Sequence, residues 1–145
     1  MARKFNGDSM VLMEEFIKTV KAIGGKNTIE VLKELRNVES SSIIKIKKDI
    51  IINEVLADFN VSLPMLISKK SHTFERKHAR RFIYVLLKRH LQYDHIQIAS
   101  MFKRSNMTVW SEIAAFDKLN AKLVHEAELL QRFTKIEKVV VERIS

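Results

Sequence analysis

Ten lysines and arginines lie between residues 59 and 111, opposed only by Glu75 and Asp94, which gives this stretch a net charge of +8. Residues 1–58 carry +1 and residues 112–145 carry zero, so nearly all of the chain's +9 sits in the middle third. An ordinary solvated surface intersperses both signs. A dense segment of one sign offers ammonium and guanidinium groups that can displace counterions from a polyanion. Lys69, Lys70, Arg76, Lys77, Arg80, Arg81, Lys88 and Arg89 make up the first part of it, and Lys103 and Arg104 the second. The plainer reading is a charged helix face in water. Arg80 suits it because it follows the apolar Ala79, and Lys88 and Arg89 suit it because cations near a helix end complement the dipole. Charge alone leaves nucleic acid and an acidic membrane surface both open.

A second group of residues follows Tyr93. Asp94 can cap a helix, with Gln97 at the third helical position completing a capping box. Ile96, Ala99 and Phe102 then give a helix of about two turns. Lys103-Arg104-Ser105 forms a turn, Ser105 can cap the next helix, and Val109, Ile113 and Phe116 form that helix's buried stripe. Short helix, three-residue turn, longer helix is the helix-turn-helix layout. In it, Asn106, Met107, Trp110 and Ser111 face a major groove from the start of the second helix. Asn can pair with both hydrogen-bonding groups of adenine, and Met can touch a thymine methyl, although Met on a helix face is commonly core. Trp110, the chain's one Trp, follows the buried Val109 and reads equally as packing or as a DNA contact.

Other chemistry finds little support. There is no Cys, so thiol nucleophiles, disulfides and Cys-ligated zinc are excluded. The five His, at 72, 78, 90, 95 and 125, match no zinc spacing. No hydrolase or metalloprotease motif is present, and no G-x-x-x-x-G-K-[ST] phosphate loop. The expectation is a non-enzyme with no metal, no cofactor, no small-molecule substrate and no use of ATP. No uncharged apolar run approaches the ~20 residues of a membrane helix. The first residues lead into no signal core. The expected place is the cytoplasm, in association with the nucleoid.

Three Gly, one Pro and 46% hydrophobic residues in 145 favour an all-α bundle. The division expected is an N-terminal helical hairpin over 1–42 and a second domain over 43–145. In the hairpin, Met13, Phe16, Ile17 and Val20 mark a helix capped by Ser9 and ended by Gly24-Gly25. A second helix opens at Asn27 with Glu30 as a capping-box variant and carries Ile29, Leu32 and Leu35. VESSS, Val38–Ser42, breaks the periodicity. The stretch beyond alternates Ile and Lys like a strand, but Ile51, Ile52, Val55, Leu56 and Phe59 fit a helix stripe, and helix is the reading adopted. Ser62 caps a short helix through Ile67, and residues 75–90 form an amphipathic helix on Ala79, Phe82, Ile83, Leu86 and Leu87. Residues 120–143 read as one or two packing helices. The apolar stripe of 9–37 closes onto the bundle or pairs with a second copy as a homodimer; closing onto the bundle is preferred.

From Ile51 to about Leu130 the sequence resembles the C-terminal DNA-binding domain of the bacterial replication initiator DnaA. Three stretches carry the likeness in the family's order: IINEVLADFNVSLPMLISKK, ARRFIYVLLKRH and YDHIQIASMFKRSNMTVWSEI. Ala79 and Arg80 fall on the family's Ala-Arg pair. Phe102, Arg104, Thr108 and Val109 keep the pattern Phe-Gly-Arg-Asp-His-Thr-Thr-Val. The resemblance implies a bundle of the Trp-repressor type that reads double-stranded DNA. Lys103 departs from the family's Gly, and Ser105, Asn106 and Met107 replace Asp-His-Thr, with which the family reads an A·T-rich box. Ser71 and His72 stand near the family's minor-groove Arg. The initiator's ATPase is missing.

The expected function is therefore sequence-specific duplex DNA binding, serving replication control, transcription or a mobile element. Phosphate contacts fall to Lys69, Lys70, Arg76, Lys77, Arg80, Arg81, Lys103 and Arg104. Base contacts fall to Ser105, Asn106, Met107, Thr108 and Ser111. A helical protein–protein adaptor is the rival from another class. RNA binding is weaker, because stacking platforms are not evident.

Overall fold

A computed structural model of the chain describes residues 25–70 and 73–145, together with Glu14 and Lys18. The described residues form six α-helices: α1 (Gly25–Phe59), α2 (Leu63–Ile67), α3 (Phe74–Leu91), α4 (His95–Phe102), α5 (Asn106–Asp117) and α6 (Val124–Ile144). The architecture is all-α, and no strand occurs among the described residues. The chain divides into two compact units, Met1–Ile43 and Ile44–Ser145. No helix among the described residues is long and apolar enough to cross a membrane.

α1 corrects the expected end of the hairpin's second helix. The helix runs unbroken from Gly25 to Phe59, through VESSS and the Ile-Lys alternation. Asn27 stands inside it, past the first residue of the helix. Ser and Glu cost a helix only a few tenths of a kcal/mol per residue relative to Ala, so three serines weaken a helix without ending it. The first helix proposed for the hairpin lies outside the described residues except for Glu14 and Lys18, as does the part of the proposed dimer contact through 9–37 that precedes residue 25.

In the second unit one aromatic cluster joins four helices. Phe82 of α3 meets Phe59 of α1 edge-on at 5.2 Å between ring centroids, Phe133 of α6 at 5.2 Å and Phe116 of α5 at 6.1 Å. Phe116 and Phe133 close the group at 4.6 Å. Edge-to-face pairs of this kind contribute about 0.5–1.5 kcal/mol each beyond the area they bury. Ile51, Ile52, Val55 and Phe59 are buried as the stripe requires, as are Val109, Ile113 and Phe116. α3 is buried from His78 to Leu87 except at Arg80, which makes it the central helix of the unit. Residues 120–143 resolve into the single helix α6, which buries Leu129, Phe133, Ile136 and Val140.

Ion pairs clip the outer helices to this core. Arg132 of α6 pairs with Asp58 and lies 3.8 Å over the Phe59 ring. Arg143 pairs with Glu54. Arg89 reaches Glu137 at 3.3 Å and lies over Phe133, which places its guanidinium against α6. His78 sits in the core against Phe74, and burial, followed by the Arg81 charge, lowers its pKa to about 4. Its imidazole is thus neutral at physiological pH.

Candidate nucleic-acid interface

The α4–α5 corner is built by local signals that the sequence states openly. Asp94 Oδ1 accepts from the Gln97 amide at 2.7 Å, and Gln97 Oε1 accepts from the Asp94 amide at 3.0 Å, a complete capping box. At the far end of α4, Lys103 adopts φ 52, ψ 44, and its N–H donates to the Ala99 carbonyl. The Arg104 amide donates to the same carbonyl at 3.0 Å. This left-handed closure turns the chain within three residues. Ser105 then caps α5: its Oγ accepts from the Thr108 amide at 3.1 Å and lies 2.8 Å from the Thr108 hydroxyl.

Lys103 occupies a conformation that glycine adopts freely and an L-residue only at a cost of about 1–2 kcal/mol. Lys103→Gly is expected to raise the unfolding free energy by about 1 kcal/mol, part of the relief being offset by the freer unfolded chain. Urea denaturation with an unchanged m-value checks this. Equal or lower stability would show that the left-handed turn carries no strain.

Three faces of α5 have separate tasks. Val109, Ile113 and Phe116 enter the core. Thr108 and Glu112, one turn apart, point toward α3, where they line a recess with Lys77, Arg80, Tyr84 and Arg104. Asn106, Met107, Trp110 and Ser111 are exposed. Met107 is 72% exposed and Trp110 56%, which settles both as surface residues. Together with Asn106 and His95 they line a shallow, open hollow of about 310 Å³. Ile96, expected in the α4 stripe, is 64% exposed; Ile98, Ala99 and Phe102 are buried instead. Ile98 and Phe102, four residues apart, share the buried face of α4 with Ala99.

The cations separate in the same way. Lys69, Lys70, Lys77 and Lys103 are exposed, and Arg76 is half-buried. Arg104 is an anchor: its Nη2 donates to the Leu66 carbonyl at 3.3 Å and to the Ser68 carbonyl at 2.9 Å. The turn between α4 and α5 is thereby tied to the chain just ahead of Lys69 and Lys70. Arg80 Nη1 reaches the same Leu66 carbonyl at 3.4 Å. Burial, and then the neighbouring Arg104 charge, lowers the pKa of Arg80. Arg81 points elsewhere. It is 7% exposed, and its Nε donates to Glu112 Oε2 at 2.9 Å. Its partner is the flank of α5, so it positions that helix and leaves the set of surface cations. Ser71 and His72 lie outside the described residues.

Two residues of this region went unassigned in the sequence. Tyr84 falls among the buried apolar residues of α3, and it lines the recess. His95 follows a capping Asp, and only the α4–α5 geometry brings it beside Met107 and Trp110. No group of three His, Asp or Glu residues able to hold a metal ion occurs among the described residues. The chain matches no protein-family model, no curated protein and no solved structure.

Proposed function

We propose that this protein binds double-stranded DNA in a sequence-specific way, with α5 as the helix that enters the major groove. The observation that carries the reading is the exposed start of α5. A helix lying in a major groove must present hydrogen-bonding and apolar groups at its N-terminal end. Here Asn106 offers an amide, Met107 and Trp110 offer apolar surface, and Ser105, Thr108 and Ser111 offer hydroxyls. Lys103 stands at the turn, and Lys69 and Lys70 on the loop tied to it, where phosphates flank a groove. Three core residues of α5 and the Arg81–Glu112 pair hold the helix rigid, as base readout requires.

The likeness to the DnaA DNA-binding domain supports the same assignment. The family's glycine falls at Lys103, the position with positive φ. Lys77, Arg76 and Arg80 complete the proposed backbone contacts. The role is replication control, transcription or mobile-element function in the nucleoid, without nucleotide hydrolysis.

Trp110 provides the test. As the one Trp on the proposed face, its emission is expected to change on titration with a duplex. Repeated at several salt concentrations, the affinity should fall by roughly 0.9 log units per log unit of salt for each phosphate neutralised, and the four exposed lysines alone predict a slope of about −3.6. Affinity without salt dependence, or emission unchanged at saturating duplex, would reject the DNA face.

A further inference from the structure

The open hollow beside the start of α5 brings together two rings, a thioether and an amide, from Trp110, His95, Met107 and Asn106. Trp110 lies four residues after Asn106 and three after Met107, so one turn of α5 sets all three on one flank. His95 comes from the first turn of α4. The Asp94–Gln97 capping box fixes that turn, as the Ser105 cap fixes the start of α5. The core takes nothing from this flank, because Val109, Ile113 and Phe116 form the inner face of the helix. An indole and a thioether held in water on capped helix ends form an apolar patch of the kind that marks a binding surface.

Size and surroundings set what fits the patch. A volume of about 310 Å³ is at the small end of ligand sites, enough for one ring system. The neighbourhood is basic. Lys103 stands exposed three residues ahead of Asn106, and Lys69 and Lys70 follow the Ser68 carbonyl that Arg104 holds. The Asp94 carboxylate, next to His95, is engaged by the Gln97 amide. An apolar side chain of a protein partner would use the rings and leave the cations without a counter-charge. A single nucleic-acid strand uses both, aromatic faces for its bases and cations for its phosphates. In a duplex the base faces are covered by their stacked neighbours. An unpaired base offers its face to an indole and its edge to an amide.

We propose that this hollow holds one unpaired base of a single nucleic-acid strand, stacked on the Trp110 indole and hydrogen-bonded at its edge by the Asn106 amide. Met107 packs against the base, and Lys103 takes an adjoining phosphate. This activity goes beyond duplex readout and does not depend on it. It uses part of the same face, so a single strand and a duplex compete for the protein. DNA and RNA strands share the chemistry of an unpaired base, and they differ at the 2′-hydroxyl.

The test uses the full chain, Trp110→Ala and Trp110→Phe, titrated at one salt concentration into end-labelled oligonucleotides and followed by fluorescence anisotropy. The probes are mixed-sequence single strands of DNA and of RNA, an abasic strand of the same charge, and a duplex. The natural chain should bind an intact strand about tenfold or more tightly than the abasic one, the order of effect that one stacked base has. Trp110→Ala should lose that advantage, and Trp110→Phe should keep most of it. A preference for the DNA or the RNA strand supports the proposal and names the strand. Equal affinity for intact and abasic strands overturns it, and this comparison needs no variant to fold. Unchanged affinity of Trp110→Ala for the intact strand overturns it as well. A chain that binds the duplex but gains nothing from unpaired bases keeps the duplex reading alone. One that binds single strands through Trp110 but no duplex loses the duplex reading and keeps this site.

Discussion

Replacing Glu112 with alanine is expected to lower the unfolding free energy by about 3 kcal/mol, the low end of the cost of breaking a buried ion pair from one side. Arg81 would be left charged and enclosed, 7% exposed and with no carboxylate at its Nε. The reverse change, Arg81→Met, should cost less. The Glu112 side chain keeps about a quarter of its surface in solvent, so its stranded carboxylate is partly hydrated. Changing both, Arg81→Met with Glu112→Leu, should recover most of the loss, because a well-packed apolar pair commonly equals a buried ionic one. Urea denaturation of the three variants gives the comparison. Equal costs for the two single changes would mean that Arg81 finds solvent or another partner. The same pair fixes α5 against α3, so Glu112→Ala should also weaken duplex binding at temperatures where the protein is still folded.

Most of the architecture around α5 was legible in the sequence because its signals are local. A capping box needs two side chains three residues apart, and Asp94 with Gln97 forms one. Ser105 caps the next helix as its type and place suggest. The stripe at 109, 113 and 116 is buried because only one face of α5 meets the core. The readings that differ depend on distant partners. Arg81 looks like Arg80 in sequence, and only Glu112, 31 residues on, turns it inward. Arg104 looks like a free cation beside Lys103, yet its donors hold the carbonyls of Leu66 and Ser68. VESSS resembles a break because serine favours caps and turns, but no Gly or Pro stands there to stop the helix. Trp110 was open between core and surface, since a helical position beside a buried one can face either way. The exposed trio of 106, 107 and 110 answers it through one-turn spacing.

The largest effect expected of the protein in function is discrimination among DNA sequences. A duplex selected from a random pool should bind about 10³-fold or more tightly than a scrambled duplex at the same salt, the lower limit for specific DNA binders. The selected site should differ from the A·T-rich box of the DnaA family. A serine hydroxyl at 105 discriminates poorly where an aspartate would accept from cytosine, and Asn106 prefers adenine. Met107 offers apolar contact where the family has a threonine hydroxyl. Each such pair is worth about 1–3 kcal/mol, so three changes suffice to move the preference. Asn106→Ala should relax the choice at one base pair and leave the others intact, without altering the salt slope. The most direct measurement is therefore that selection, followed by competition between the selected, family and scrambled duplexes at fixed salt, for the natural chain and for Asn106→Ala. The account predicts one enriched site, bound about 10³-fold above scrambled DNA and read at one position through Asn106. A pool from which no sequence is enriched, or a site whose recognition is indifferent to Asn106, Met107 and Thr108, would contradict it.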